Sequence, residues 1–336
     1  MTSTRSDRWV AVRAPAKLNL FLELLRRRAD GYHEIDTVMV PIDCYDTLLV
    51  RRAKEESIRI TTQWWPSRQH WLATLGGLAA EELLQIPEDE RNLIHRAIKA
   101  TTLLAGYSGG FEVRVRKRTP VGAGMGGASS DAAAAIRATA SLLGIAATDA
   151  RLFRVAGEIG SDVPFFLGNG QTLGEVAAMH ATGRGEKLAS LELGRKLHFL
   201  VAYPAVSLST ALVYGQSSVP TGALSSAAII AALATGDIAS IGQSMSNRLT
   251  LPATKLSPVV ADLLEQMWRC GLPRCQLTGS GAACFSLLDD GDDGVELRRR
   301  LTDNLRVRNI NAKIILADST TIPQPVREDV RLRSAT

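Results

Sequence analysis

Residues 119–135 read TPVGAGMGGASSDAAAA, and no other stretch restricts what the chain can fold into so strongly. Gly122, Gly124, Gly126 and Gly127 place four glycines within six residues. Glycine admits positive φ and lets backbone come close to a ligand. Ser129, Ser130 and Asp131 are residue types that cap a helix start, and the alanines from Ala132 onward are the best helix formers. A glycine turn that feeds a helix N-terminus presents unpaired N–H groups and a positive dipole end, a combination suited to phosphate. The plainer reading is a flexible turn before an ordinary helix. It leaves the caps and alanines without a purpose.

Gly127 is followed by Ala128 and Ser129, so the G-K-[ST] ending of a Walker A loop is missing. Gly122, Gly124 and Gly127 do match the dinucleotide-binding pattern G-x-G-x-x-G. The context argues against it. Residues 111–118, FEVRVRKR, alternate apolar with charged, as a half-exposed strand does. The first strand of a dinucleotide fold is buried on both faces, and Thr119-Pro120 would not separate it from the turn. An NAD site is discounted.

The 336 residues suffice for two domains, and 46% hydrophobic with 22% charged residues is ordinary for a globular chain. No apolar run approaches the roughly 20 residues that cross a bilayer, and the opening MTSTRSD holds no signal-peptide core. A cytoplasmic protein without a membrane partner is expected. Cys44, Cys270, Cys275 and Cys284 form no C-x-x-C pair, and the five histidines never fall at i, i+4, so neither a zinc site nor a disulfide framework is indicated. A net charge of +5 suits an anionic small substrate and is too diffuse for a nucleic acid. No oligomeric state is read from the sequence.

Three further groups of residues can carry chemistry. A strand at 9–14 is expected to stop at Pro15. Residues 16–24, AKLNLFLEL, then alternate, with Leu18, Leu20, Leu22 and Leu24 on one face and Lys17 and Asn19 on the other. Lys17 and Asn19 either hold a phosphate and orient a hydroxyl, or simply face solvent. Asp30-Gly31 is a turn signal that delivers Tyr32 and His33 side by side. They offer a flat ring to stack on a base and a ring able to read its edge, or they merely pack at a hairpin. Asp162 lies between the helix-ending Gly160 and the Val163-Pro164 step, before an expected apolar strand. It is either a turn former bound to nearby N–H groups or a fixed acid at the mouth of a buried site.

Around these, strands are expected at 35–40, 46–50 and 57–63, and an amphipathic stretch over 72–84 beside Trp64, Trp65 and Trp71. Helices are expected over 92–104, with Leu103 and Leu104 on the apolar face, over 130–143, and after the cap Asp149. Residues 197–204 read as a buried strand. A helix, a glycine turn at 279–281, a strand, a helix and a strand follow to residue 316, an α+β unit of ferredoxin-like type. Residues 326–336 are charged and expected to fray.

PAKLNL at 15–20, the glycine loop through Ser129-Ser130, and LTGSG at 277–281 resemble, in order, the three motifs of the GHMP small-molecule kinases. RADGYH at 28–33, DERNL at 89–93, GGASSDAA at 126–133 and GSDVPFF at 160–166 narrow the resemblance to the branch acting on a cytidine-diphosphate-linked methylerythritol. It covers residues 12–316. It implies an α+β, two-domain GHMP kinase fold: an N-terminal ribosomal S5 domain 2-like, ATP-binding domain at 1–185, a C-terminal ferredoxin-like substrate domain at 186–320, and a tail at 321–336. The active site would lie in the cleft between them. Pro120, Gly122, Gly124, Met125, Gly126, Gly127, Ala128, Ser129 and Ser130 would cradle the ATP phosphates. Mg²⁺ would bridge those phosphates, held by no protein ligands alone, with Ser129 or Ser130 nearby. Asp162 would take the proton of the substrate's 2-hydroxyl, and Lys17 would stabilise the developing charge. Asn19 would orient the sugar alcohol or diphosphate, Tyr32 would stack on cytosine, His33 would read its edge, and Tyr214 would oppose Tyr32. Thr210, Gly279, Ser280 and Asp162 would complete the substrate contacts. The activity implied is the ATP-dependent step of the non-mevalonate isoprenoid pathway.

Residues 64–85 and 173–181 look like insertions against that family, and 247–252 match it in part. Two other readings compete: a GHMP kinase for another alcohol, such as homoserine or mevalonate, and a non-catalytic anion- or RNA-binding protein. A small alcohol leaves Tyr32-His33 without a base to read. RNA binding gives no reason for Lys17, Asn19 and Asp162 to converge.

Overall fold

Strand β1 (Val10–Arg27) and strand β2 (His33–Ala53) form a long antiparallel hairpin closed by the Asp30-Gly31 turn. The structure, a computed structural model, describes residues 8–168, 175–328 and 330. Gly31 takes φ +84°, and Asp30 Oδ1 accepts from Tyr32 N–H at 3.1 Å, so the expected turn forms. Pro15 does not stop the strand. The register shifts between Pro15 and Ala16, and such an irregularity lets a residue without an N–H sit in a ladder. β2 likewise runs unbroken through both segments expected as separate strands.

Strand β3 (Ile58–Trp64) leads into helices α1 (Arg68–Leu75), α2 (Gly77–Leu83) and α3 (Leu93–Ala105), then strand β4 (Gly110–Lys117). Trp64 and Trp71 are buried with ring centroids 5.2 Å apart, so the stretch at 64–85 is a packed helical excursion. Asn92 caps α3 and left-handed Gly106 ends it. Leu104 packs inward, but Leu103 is 74% exposed. Ile94, Ala97, Ile98 and Thr101 define the buried stripe, and a 3.6-residue repeat puts Leu103 on its far side.

The glycine turn joins β4 to α4 (Gly127–Leu143). Left-handed Gly126 is the N-cap, and no side chain caps the helix. Ser129 and Ser130 sit inside the first turn and Asp131 just beyond it, and none of them caps it. Helix α5 (Ala150–Ile159), capped by Asp149, precedes α6 (Val163–Leu167). The apolar run after Asp162 is therefore a short helix, not a strand; Pro164 falls in its first turn, where a missing N–H costs nothing.

Strands β5 (Ala178–Gly183) and β6 (Lys187–Leu191) add a hairpin to β2; the start of the expected insertion at 173–181 lies outside the described residues. Strand β7 (His198–Pro204) and helices α7 (Thr210–Gly215), α8 (Ala227–Thr235) and α9 (Ile238–Ser244) follow. Then come β8 (Ser246–Asn247), α10 (Thr250–Leu256), α11 (Pro258–Arg269), β9 (Cys275–Leu277) and β10 (Cys284–Leu287). Helix α12 (Gly294–Val307), β11 (Ala312–Asp318) and β12 (Val326–Arg327) complete the described elements.

One sheet runs β12-β1-β2-β4-β3, with β5 on β2 and β8 on β1. One core joins its strands to α3, α4, α5 and α6, and a second joins β1 and β2 to the later half of the chain. The other sheet is antiparallel in the order β11-β7-β10-β9. With α11 and α12 it has the βαββαβ layout of a ferredoxin-like unit. The chain does not fray at once after residue 325: Val326 and Arg327 pair with Val12 and Ala11 on the edge of β1, while 331–336 lie outside the described residues. Among the described residues no helix is long and apolar enough to cross a membrane.

That edge of β1 positions the site. β12 covers it at Ala11 and Val12, and β8 at Phe21 and Leu22. Between them no strand among the described residues pairs with it, and buried backbone donors must find partners. The glycine turns fill the gap: Lys17 N–H donates to the Met125 carbonyl at 2.9 Å, and Asn19 N–H donates to Thr278 Oγ1 at 3.1 Å.

Candidate active site

The two glycine turns meet backbone to backbone. Gly122, Gly124 and Gly126 have φ of 68°, 75° and 71°. A Cβ on Gly124 would lie 2.1 Å from the Thr278 carbonyl oxygen, and one on Gly281 would lie 1.9 Å from Gly124 N. Only glycine fits either place. Ala283 N–H donates to the Ala123 carbonyl at 3.1 Å and fixes the contact. The first N–H groups of α4 have no intrahelical acceptor. They stand at a cavity of about 1090 Å³.

That cavity is walled by Pro120, Gly122, Gly124, Met125, Gly126, Gly127, Ala128 and Ser129 on one side. Lys17, Asn19, Tyr32, His33, Asp162, Thr210, Tyr214, Gly279 and Ser280 line the rest. Ser130 does not reach the wall; it is buried within α4, its hydroxyl without a partner.

Lys17 and Asn19 do not face solvent: each is 3% exposed. Lys17 Nζ donates to Asn19 Oδ1 and lies 3.9 Å from Asp162 Oδ2. Burial lowers the Lys17 pKa from its ordinary value, and the Asp162 carboxylate opposes that shift. Asn19 is locked behind it: Nδ2 donates to Thr37 Oγ1 at 2.9 Å, and the Asn19 carbonyl accepts from Gln276 Nε2 at 3.0 Å. Asp162 makes no capping bond to α6, so its carboxylate is not spent as a turn former.

His33 and Tyr214 have ring centroids 5.5 Å apart, tilted by 37°. The ring against Tyr214 is thus His33. Tyr32 is 60% exposed and lies under the Arg184 guanidinium instead. Burial and the Arg27 charge lower the His33 pKa, so at pH 7 its ring is neutral, with one donor and one acceptor nitrogen. Burial, then the Asp162 charge, raises the Tyr214 pKa, which keeps its hydroxyl protonated. Ser280 Oγ and Thr210 Oγ1 share a hydrogen bond of 2.9 Å that ties α7 to the second glycine turn.

Sequence reasoning missed the cluster beneath the loop. Lys117 Nζ pairs with Asp46 and, at 2.7 Å, with Asp131 Oδ2. All three are buried, and Asp46 also accepts from Thr119 N–H at 2.9 Å. The two carboxylates outweigh burial and raise the Lys117 pKa. Burial pushes Asp131 up to about 7, with Lys117 pulling it down and Asp46 pushing it up. The folded chain therefore keeps a proton on Asp131 where an unfolded carboxyl, near ~3.9, has lost it. Stability from this group falls as pH rises through that window, up to about 7. Asp131→Asn is expected to remove this component, so melting temperatures at pH 5 and pH 8 should differ less in the variant than in the parent. An unchanged difference would sink the assignment.

Among the described residues no group of three or more His, Cys, Asp or Glu side chains could hold a metal ion. Oxygen groups are present nonetheless. Ser129 lines the cavity, and Asp131, also on its wall, has Oδ1 buried without a hydrogen-bond partner.

The two glycine turns, the start of α4 and the Lys17–Asp162 pair all meet at this one cavity, and the protein is a GHMP kinase. The model of the GHMP kinases N terminal domain matches residues 92–170, and that of the GHMP kinases C terminal region matches 229–307. The 4-diphosphocytidyl-2-C-methyl-D-erythritol kinase of Rhodopirellula baltica is 46% identical over 290 residues, 84% of this chain and 88% of that one. The enzyme of the same name from Exiguobacterium sibiricum is 32% identical over 83% of this chain and 89% of its own length. A crystal structure of 4-(cytidine 5'-diphospho)-2C-methyl-D-erythritol kinase superposes with a TM-score of 0.68 at 31% identity, covering 92% of this chain and 99% of that one. Homoserine kinase from Cytophaga hutchinsonii reaches a TM-score of 0.69 over 98% of this chain and 99% of its own, at 19% identity, and so shares the fold alone. The chain belongs to the 4-diphosphocytidyl-2-C-methyl-D-erythritol kinase family.

Proposed function

We propose that the protein transfers the γ-phosphoryl group of ATP to the 2-hydroxyl of 4-diphosphocytidyl-2-C-methyl-D-erythritol, in the non-mevalonate route to isoprenoid precursors. One observation carries the mechanism: the Asp162 carboxylate lies 3.9 Å from the buried Lys17, in the cavity that also holds the glycine turn and the His33–Tyr214 pair. Asp162 accepts the hydroxyl proton as that oxygen bonds to the γ-phosphorus. The bond from phosphorus to the β–γ bridging oxygen breaks, and ADP leaves with the electron pair. Lys17, beside that carboxylate, stabilises the charge growing on the attacking oxygen. Phosphoryl transfer is chiefly positioning and charge neutralisation, and these residues supply both.

The N–H groups from Val121 to Ser129, after the turn that Pro120 opens, hold the ATP phosphates, with Ser130 supporting them from within α4. Ser129 and the partnerless oxygen of Asp131 are of the ligand type that suits Mg²⁺. When bound, the ion neutralises phosphate charge. Tyr32, His33 and Tyr214 hold the cytosine, and Asn19, Thr210, Gly279 and Ser280 line the path of the alcohol. Binding energy won at the base, remote from the reacting oxygen, fixes the attack geometry. The presence of two sheets supports a division into an ATP unit at 1–185, a second unit at 186–320 and a tail from 321 in outline alone, because β6, β8 and β12 from beyond residue 185 all pair within the first sheet. The partner is a small molecule; this chemistry requires no nucleic acid.

An ADP-release assay with Mg-ATP and three alcohols in parallel tests the reading. Turnover is expected with the cytidyl substrate and not with homoserine or mevalonate. Turnover of either alternative, with none of the cytidyl substrate, would overturn it.

A further inference from the structure

Lys17, Arg27, Arg91, Lys117 and Arg184 bring lysine or arginine cations to the cavity. Three of them are matched by acids: Lys17 by Asp162, Lys117 by Asp46 and Asp131, and Arg91 by Asp89. Among the described residues, Arg27 and Arg184 form no ion pair. Arg184 is the one held in a defined place. It stands at the tip of the β5–β6 hairpin between Gly183 and Gly185, at φ of 75° and 113°. Gly183 pairs with Ile35 of β2, which brings the tip over the Asp30-Gly31 turn. There the guanidinium carbon lies 5.4 Å from the centroid of the Tyr32 ring, within cation–π range. Asp30, the acid of that turn, is engaged by Arg28 at 3.1 Å and by Tyr32 N–H. A Cβ on Gly185 would come 4.0 Å from the Ser161 carbonyl oxygen, so the same tip abuts the residue before Asp162. A planar cation that forms no ion pair, though its charge reaches Asp30, thus stands at the tip between the ring that would carry a base and the acid that would take a proton.

A nucleotide-linked alcohol that spans those two points must lay its pyrophosphate between them. We propose that Arg184 binds that pyrophosphate and is the residue by which the site distinguishes a nucleotide-linked alcohol from a free one. The inference rests on the reading of the second substrate given above. A guanidinium meets phosphate oxygens with paired N–H donors, and stacking on Tyr32 limits the freedom Arg184 has to lose.

Calorimetric titration of CDP and of cytidine into the full chain separates the outcomes, with R184M and R184K beside the parent. R184M is expected to weaken CDP by roughly 10- to 100-fold, the scale of one charge-assisted contact, and to leave cytidine unchanged, while R184K restores part of the loss. In turnover assays the KM for the cytidyl substrate should rise by more than kcat falls. Equal losses for CDP and cytidine mean that Arg184 only steadies Tyr32, and overturn the proposal; so does unchanged CDP binding. A parent that binds neither ligand overturns the reading of the second substrate itself, a failure distinct from the other two.

Discussion

Asp162→Asn is expected to lower kcat by at least about 100-fold, the scale of losing a general base, with the KM for ATP little changed. The amide keeps the size of the side chain and its place before α6, so the fold should survive. What it removes is the lone pair that receives the proton and the charge opposite Lys17 Nζ, 3.9 Å away. The second loss has its own signature. Asp162 is the group that opposes the lowering of the Lys17 pKa by burial, so without it that lysine gives up its proton at a still lower pH. The residual activity of the variant should therefore fall off at lower pH on the alkaline side than that of the parent. Turnover near the parent value would remove Asp162 from its role, whatever the pH profile.

Lys117→Met should be the most damaging change to stability, about 3–5 kcal/mol, because it leaves buried acids without their cation. Asp46 and Asp131 both face that ammonium, and both are almost fully buried. Native domains are stable by only about 5–15 kcal/mol, so the urea midpoint should move far toward zero. Adding Asp131→Asn should return part of the loss at pH 8, above the value of about 7 to which burial pushes Asp131, since one buried charge then disappears with its partner. A single variant that loses less than about 1 kcal/mol, the range of an exposed pair, would show that the cluster does not hold the loop.

That lysine is legible in the sequence from the parity of its strand. Phe111, Val113 and Val115 face inward along β4, and Arg114 and Arg116 face outward. Lys117 continues the inward set, and a charge on an apolar face calls for a buried partner. Asp46 sits in the same position on β2, two residues before the buried Leu48. The glycine turn, the Asp30-Gly31 turn and the ferredoxin-like unit were legible because each is written in neighbouring residues. Serine near a glycine turn looks like a cap, whereas left-handed Gly126 has already turned the chain and the helix starts at Gly127. Pro15 misled in the same way, since its irregularity depends on the strand beside it.

What sequence could not give is register between distant pieces. Lys17, Asn19 and Asp162 were tied together by resemblance, but nothing local says that Gln276 and Thr278 would hold Asn19. Arg184 went unnoticed for the same reason. It is an ordinary turn arginine until β5 pairs with β2 and carries it over Tyr32.

The contact between the two glycine turns also bears on how the protein is made. A nascent chain emerges from its N-terminus, and early segments fold first. Thr278, which accepts from Asn19 N–H, lies 259 residues further on. Gly281, whose backbone fits against Gly124 with no room for a side chain, comes later still. Through most of synthesis the first glycine turn is therefore a strand end and a helix start with one wall missing. It acquires its final shape only when the last quarter of the chain arrives, so a ribosome-bound fragment that already contains every residue of the turn still lacks the wall that Thr278 and Gly281 supply.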